Sequence, residues 1–218
     1  QPRLDALKWG SLWRANVEIA RHPVFLTWCA MASATYLGLF TFLSTSSFVF
    51  IEQLGYSKTV YGLLMFSMSL SYILGTFWGR WMLRRTSMHR TVAVAAVLTL
   101  SSGVLMTALA YAGQQQPWFG AWAVMVPFYL YMVGHGVHQP CSQSAAVAPF
   151  PLKAGTASAL NGFLMMLSAF LMGGWLGRHM DMPLFALAHG LLLWSVVIAA
   201  LAWTAVQRHG RPVELKAA

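Results

Sequence analysis

Acidic residues are scarce in this sequence, which has 5 Asp and Glu against 14 Lys and Arg among its 218 residues. Asp5, Glu18, Glu52, Asp181 and Glu214 all lie outside the long apolar stretches. A carboxylate inside a membrane helix is the usual carrier in proton-coupled transport, because its charged form is costly in lipid. The apolar stretches lack such a group, so if the chain depends on a proton carrier, that carrier is expected elsewhere.

Charged residues of either sign make up only 9% of the chain, whereas apolar residues make up 58%. This leaves too little polar surface to cover a water-soluble globule. The apolar residues form long blocks instead of amphipathic stripes, a pattern that predicts membrane helices. The net charge of +9 is spread over the ends of these blocks, with no basic run interleaved with aromatics, so we expect no nucleic-acid partner.

Cysteine is also rare, and Cys29 and Cys141 both lie inside apolar blocks, where cysteine behaves as a small buried hydrophobe. His135, His138 and Cys141 follow one another at a spacing that could bring metal ligands onto adjacent helical turns. The third residue would be rotated by about 240° from the first, and no fourth ligand lies nearby. Helix packing or substrate contact is therefore favoured over a metal site, and no cofactor is expected.

Signatures of an enzyme are missing as well. The sequence contains no G-x-S-x-G motif and no paired carboxylates within its apolar blocks. An intramembrane hydrolase would need an activated nucleophile with a base, so we do not expect an enzyme.

No signal-peptide pattern is visible in the first residues of the sequence, which begins at Gln1 and not at a methionine. Residues 1–22 are basic and weakly amphipathic, which is typical of a linker lying at the membrane surface. We therefore expect the chain to be part of a longer protein.

Six apolar blocks are long enough to span a bilayer, which requires about 20 residues per helix. They cover residues 24–50, 59–82, 91–113, 119–147, 154–177 and 184–206. The sequence thus predicts an all-α membrane protein, with a six-helix bundle over residues 23–207 and a cytoplasmic tail over residues 208–218.

The distribution of Lys and Arg predicts the orientation, because cytoplasmic loops carry an excess of both. One side of the membrane would hold only Lys58 and Arg178. The other side would hold Arg3, Lys8, Arg14, Arg21, Arg80, Arg84, Arg85, Arg90, Lys153, Arg208, Arg211 and Lys216. Both termini are therefore expected in the cytoplasm.

Residues 75–85 read GTFWGRWMLRR. This stretch resembles the cytoplasmic-loop signature of the major facilitator superfamily at Gly75, Arg80, Arg84 and Arg85, with Gly79 in place of the usual Asp and Met82 in place of the inner Gly. These losses are similar to the degenerate copy between the eighth and ninth spans of that superfamily. A small-residue packing face followed by ordinary basic anchors would explain the same pattern.

Two further stretches resemble the Bcr/CflA group of bicyclomycin and chloramphenicol resistance proteins, which are drug:proton antiporters of this superfamily. Residues 134–140 read GHGVHQP, and residues 148–162 read APFPLKAGTASALNG. The group has a Gly-rich, Pro-broken tenth span, a short Phe-Pro loop and a similar helix start. Tyr36 and residues 46–49 and 54–57 extend the likeness.

This resemblance implies a twelve-span transporter of two six-helix bundles in the bacterial inner membrane, with the present chain as the second bundle. It also implies export of small drug-like molecules by proton-coupled alternating access. The partners would be the lipid bilayer, the missing amino-terminal half, protons and the substrate. The acidic proton-coupling residues of the family would belong to the missing half.

A helix break in the fourth span is expected at Gly134, Gly136 and Pro140, because proline removes a backbone hydrogen bond and glycine loosens the turn. Broken membrane helices usually line a cavity. The candidate cavity residues are Tyr36, Met65, Met68, Tyr72, Tyr129, His135, His138, Gln139, Gln143 and Asn161. Hydrogen bonding between neighbouring helices is the competing interpretation for each polar member.

Two alternatives share the same helix count and orientation. A six-span channel subunit or membrane scaffold would not need the Gly-Pro and Phe-Pro features. A half-size transporter working as a homodimer would exploit the pseudo-two-fold relation between the halves of the superfamily.

Overall fold

The computed structural model describes residues 9–113 and 116–210, and all regular structure in these two segments is helical. The helices are α1 (Trp9–Ala20), α2 (Pro23–Ser47), α3 (Lys58–Leu83), α4 (Met88–Gly113), α5 (Ala121–Val147), α6 (Ala154–Gly177), α7 (Pro183–Trp203) and α8 (Ala205–His209). A π-helical segment, Phe48–Gln53, extends α2, and a short 3-10 turn, Pro151–Lys153, precedes α6. The sequence expectations for residues 1–8 and 211–218 lie outside the described residues.

The helix ends follow from local chemistry. Pro23 and Pro183 begin α2 and α7, at positions where the missing N–H has no partner to lose. The hydroxyl of Ser57 caps α3 by accepting a hydrogen bond from the Val60 N–H at 3.3 Å. Just before it, Gly55 turns the chain with φ 71°, a conformation that favours glycine.

Five of the described helical segments are long and apolar enough to cross a membrane. The exception among the six long helices is α5, which has 27 residues but carries two prolines, two histidines and two glutamines. Its length is ample, since 27 residues rise about 40 Å. Six apolar spans were expected, and five of the helices are apolar enough to be membrane spans. Helix α5 is too polar to be identified as a span from hydropathy alone.

The centre of the bundle is formed by α2 and α5, which pack against each other and against α7 and α4 respectively. Phe42 of α2 stacks on Phe128 of α5 with ring centroids 3.4 Å apart. The two remaining long helices are attached at the outside, α3 mainly to α5 and α6 mainly to α2. Helices α3 and α6 therefore flank a strip of α5 that neither of them covers completely.

Glycines allow the closest approaches around α5. A Cβ on Gly75 of α3 would overlap the carbonyl of Val133, and one on Gly136 would lie 2.5 Å from the Tyr72 carbonyl oxygen. On another side of α5, a Cβ on Gly134 would overlap the Thr99 methyl of α4. Small residues at such positions let membrane helices pack backbone to backbone.

The expected break in the fourth span is wrong in one respect, since α5 continues as a helix through Gly134, Gly136 and Pro140 to Val147. The two glycines sit where neighbouring helices come close, so they serve packing and not interruption. Pro127 is a second proline inside the same helix, and the Ser102 hydroxyl donates to its carbonyl at 2.7 Å.

The two ends of the bundle differ in charge. At the end where α1 and α8 lie, Lys153 pairs with Glu18 at 2.5 Å, and the Trp28 indole N–H donates to the Gly210 carbonyl at 3.0 Å. At the far end, the Ala121 N–H donates to the Tyr56 hydroxyl at 3.2 Å. The described Lys and Arg residues at the α1 end are Arg14, Arg21, Arg80, Arg84, Arg85, Arg90, Lys153 and Arg208, whereas the far end has Lys58 and Arg178.

Candidate functional site: a groove along α5

The strip of α5 between α3 and α6 carries polar side chains, and we call it the α5 groove. Gln139 of α5 is half-buried there, and its amide N–H donates to the Met165 sulfur of α6 at 3.5 Å. The carbonyl oxygen of the same amide is buried and has no hydrogen-bond partner among the described residues. An acceptor of this kind carries a desolvation cost that a donor from a ligand would relieve.

Gln143 lies one turn after Gln139 on α5 and is exposed. Asn161 lies one turn before Met165 on α6 and is buried. Since α5 and α6 are consecutive and antiparallel, the contact between Gln139 and Met165 brings Gln143 to the level of Asn161. The Asn161 side-chain carbonyl also lacks a partner within the described segments. Helices α5 and α6 therefore each carry one buried amide oxygen without a hydrogen-bond partner in the described segments.

The α3 side of the groove is more completely paired. The Tyr129 hydroxyl lies 2.6 Å from the Ser67 hydroxyl of α3, which in turn donates to the Leu64 carbonyl at 2.7 Å. Met65 and Met68 are half-buried against the main apolar core. Thioethers at such a border adapt their shape to what they touch, a property that suits varied apolar ligands.

His135 belongs to a hydrogen-bonded junction between the two central helices. Its Nδ1 lies 3.0 Å from the Thr35 hydroxyl, and the Tyr131 hydroxyl donates to the Thr35 carbonyl at 2.8 Å. The ring of Tyr72 lies 5.8 Å from the imidazole. With a residue exposure of 4%, His135 sits at the floor of the groove and its role there is to join α2 to α5.

His138 does not face the α5 groove. It is fully buried beside the Ala95 backbone of α4, and neither ring nitrogen meets hydrogen-bond geometry with any atom of residues 9–113 or 116–210. Ser142, one turn along, is equally buried and unpaired. His138 is offset from His135 by only about 60° around the helix, but it packs against α4. Its predicted contact with substrate stays a prediction.

Comparisons with known proteins identify the family of this chain. A family model described as Major Facilitator Superfamily matches residues 3–173, which is well over half of the chain. The chain belongs to the major facilitator superfamily. It is 33% identical over 113 residues, 48% of the chain, to Multidrug resistance protein D of Escherichia coli, and 25% identical over 126 residues, 56% of the chain, to an uncharacterized transporter of Rickettsia felis.

These matches cover only part of the relatives, 27% of the first and 31% of the second. The first relative is named for multidrug resistance and the second is named as a transporter. No solved structure matches the chain significantly.

The loop motif that suggested the superfamily lies at the α1 end of α3. Gly75 and Gly79 are buried against α5, whereas Arg80 and Arg84 are exposed. The Arg85 guanidinium carbon lies 4.3 Å from the Trp81 ring centroid, within cation–π range. Arg80 also borders a cavity of about 280 Å³ between α3 and α5, so this part of the superfamily chain combines a tight helix seam with a basic surface.

Tyr36, the remaining predicted cavity residue, lies on the side of α2 that packs against α6. Its ring centroid is 6.4 Å from that of Phe40, and both rings cover a small apolar cluster that includes Leu37 and Met172. No direct contact joins Tyr36 to Gln139 among the described contacts. In this arrangement it borders α6 and not the polar strip of α5.

Thr35, Tyr131 and Ser67 are the members of this site that the sequence did not reveal. The hydroxyls of Thr35 and Ser67 bond to His135 and Tyr129, and the Tyr131 hydroxyl donates to the Thr35 carbonyl. Serine and threonine, however, occur throughout these apolar helices. Only the pairing of helices distinguishes a hydroxyl that bonds across an interface from one that bonds its own backbone. Of the described residues, no group of three His, Cys, Asp or Glu side chains could hold a metal ion.

Proposed function

We propose that this chain is the second six-helix bundle of a twelve-span exporter of small drug-like molecules, within the Bcr/CflA group of the superfamily. The observation that carries the proposal is the unpaired amide oxygen of Gln139 in the α5 groove, in a chain that belongs to a transporter superfamily. A multidrug resistance protein among its relatives supports drugs as the substrate class.

The groove has the composition of a site for amphipathic small molecules. Amide oxygens of Gln139 and Asn161 offer hydrogen-bond acceptors, and Met65, Met68 and Tyr72 offer half-buried apolar surface. Pockets of this kind combine a few polar groups with adaptable apolar walls. In the proposed cycle, rocking of the two bundles exposes the groove alternately to each side of the membrane.

We propose that the protein lies in the bacterial inner membrane, with both termini in the cytoplasm. Helix α5, the fourth long helix, is proposed to span the membrane like the other five. The excess of Lys and Arg at the α1 end supports this orientation. Helix α5 contacts four other helices, so its polar residues are largely shielded from lipid and its modest hydropathy is compatible with a spanning position.

Proton coupling is proposed to depend on the other bundle. Each acidic side chain in the described segments, namely Glu18, Glu52 and Asp181, is exposed and lies at an end of the bundle. An intramembrane carboxylate would therefore come from the amino-terminal half of the full-length polypeptide. Six further apolar spans encoded upstream would support this arrangement, whereas a start codon adjacent to Gln1 would favour a half-size homodimer.

The experiment is a resistance assay in a pump-deficient bacterial host that expresses the full-length protein. Gln139→Ala is compared with Gln53→Ala, since Gln53 is exposed at the far end of the bundle. Loss of one hydrogen bond corresponds to about a fivefold weaker contact. We expect the Gln139 variant to lower the tolerated concentration of an amphenicol or bicyclomycin, while the Gln53 variant behaves as wild type.

Protein levels in the membrane fraction are matched by immunoblotting. Unchanged resistance in the Gln139 variant would remove the site assignment. If the wild-type protein gives no resistance to any drug of the panel, drug export itself is abandoned. Small metabolites are assayed in parallel, because a metabolite exporter would use the same groove.

A further inference from the structure

A second cavity lies at the far end of the bundle, away from the α5 groove. It has a volume of about 390 Å³ and is formed by the end of α4, the end of α6, the turn that follows it, and the start of α7. The residues that line it include Tyr111, Trp175, Arg178, His179, Asp181 and His189. The proposed transport cycle makes no use of any of them.

The wall of this cavity is aromatic with polar tips. The Tyr111 hydroxyl lies 2.9 Å from Nε2 of His189, and the Tyr111 ring centroid is 4.9 Å from that of Phe185. On the opposite side, Trp175 stacks on His179 with centroids 4.4 Å apart. Tyr111 and Trp175 are exposed, and such side chains are enriched where lipid head groups meet water.

Two opposite charges flank the same cavity without neutralising each other. Arg178 and Asp181 are both exposed, and neither forms an ion pair or a side-chain hydrogen bond with another described residue. They are three residues apart in the turn between α6 and α7. The cavity thus presents one unpaired cation and one unpaired anion beside an aromatic wall.

The cavity stands at the end of a surface that fits lipid chains. Along α4, Val97, Val104 and Tyr111 are exposed at intervals of seven residues, and on the adjacent α7 Leu193 and Val196 are exposed. Such a spacing keeps the side chains on one helix face. This face is formed by α4 and α7, which pack closely together, and lies apart from the strip of α5 between α3 and α6.

We propose that this cavity binds the head group of a zwitterionic phospholipid with a primary ammonium group, namely a phosphatidylethanolamine. Its phosphate would lie against the Arg178 guanidinium, and its ammonium against the Asp181 carboxylate. The acyl chains would extend over the exposed residues of α4 and α7. A purely anionic lipid would face Asp181, and a quaternary ammonium has no N–H to donate to the carboxylate.

The test measures which lipids stay bound to the full-length protein. The protein is purified from vesicles that contain equal parts of phosphatidylethanolamine, phosphatidylcholine and phosphatidylglycerol, and the retained lipids are identified by native mass spectrometry. Arg178→Gln is compared with Lys58→Gln, because Lys58 is the other Lys or Arg at the far end among the described residues. Asp181→Asn is compared with Glu52→Gln, an exposed acid at the same end.

We expect the wild type and both control variants to retain phosphatidylethanolamine in preference to the other two lipids. One interfacial charge is worth about a fivefold change in binding. Arg178→Gln should therefore lower the retention of all three lipids about fivefold, whereas Asp181→Asn should shift the preference toward phosphatidylglycerol.

Equal retention in wild type and both cavity variants would overturn the proposal, as would equal losses in the cavity and control variants. Displacement of the lipid by millimolar inorganic phosphate would identify a simple anion site and also refute it. All four substitutions are at exposed positions, so the fold is expected to survive, and an unchanged melting temperature in detergent verifies this. A failure here leaves the drug-resistance assay unaffected, because that assay depends on the α5 groove.

Discussion

The two sides of α5 are built differently. On the α3 side, Gly75 and Gly136 bring two backbones together, and the hydroxyl pair of Ser67 and Tyr129 adds a hydrogen bond across the seam. On the α6 side, contact is sparse and the polar link is the weak one between Gln139 and Met165. The tight packing on the α3 side fixes the position of α3 along α5. The looser packing on the α6 side leaves polar atoms without hydrogen-bond partners, so we expect substrate contacts there.

The largest effect should come from adding a methyl group to the tight seam. Gly75→Ala would overlap the Val133 carbonyl, which belongs to backbone and cannot move aside cheaply. Overpacking of this kind costs about 1–3 kcal/mol. We expect a clear fall in the melting temperature in detergent, or a loss of monodisperse protein.

Gly62→Ala is the matched control, because it lies on the same helix and a Cβ there meets nothing within 4 Å. It should be neutral or slightly stabilising, since alanine is the better helix former. Equal behaviour of the two variants would show that α3 and α5 are not held together by backbone contact.

A smaller loss is expected from Ser67→Ala, which removes the hydroxyl that pairs with Tyr129. Hydrogen bonds between membrane helices contribute about 0.6 kcal/mol on average. Ser69→Ala is exposed on the same helix and serves as the control. In detergent, the melting temperature of Ser67→Ala should be lower than that of Ser69→Ala. The reverse order would mean that the Ser67–Tyr129 pair does not stabilise the seam.

The smallest change in stability should come from the loose side. Met165→Leu conserves volume but removes the sulfur that accepts from Gln139, and such swaps usually cost less than about 1.5 kcal/mol. Met166→Leu, at an exposed neighbouring position, is its control. We expect similar melting temperatures but a changed drug profile for Met165→Leu alone. A large fall in stability would show that the α6 side is as tightly built as the α3 side.

Much of the fold could be predicted from the sequence, because the hydrophobic effect and backbone hydrogen bonding act on any apolar segment of sufficient length. The all-helical membrane class and the superfamily are confirmed, the latter in agreement with the pattern at Gly75, Arg80, Arg84 and Arg85. Hydropathy alone identifies α5 less well, because its polar residues are shielded by neighbours that a sequence window does not see.

The site was predicted less completely. Gln139 reaches Met165 of α6, but His138 lies against α4 and His135 is engaged by Thr35. A list of polar residues on one helix does not say which neighbour each will face. A rotation of about 100° per residue distributes them over several interfaces.

The sequence by itself determined that these helices need a membrane and that one end of the bundle carries most of the Lys and Arg. Both follow from composition and from the order of apolar and basic residues. Only the tertiary structure decided which polar atoms remain unpaired. His135 and Gln139 are one helical turn apart, yet the first meets a hydroxyl of α2 and the second reaches only a thioether of α6. The physical reason is that hydrogen-bond satisfaction depends on which helices pack together and how closely, and that is a property of the assembled bundle.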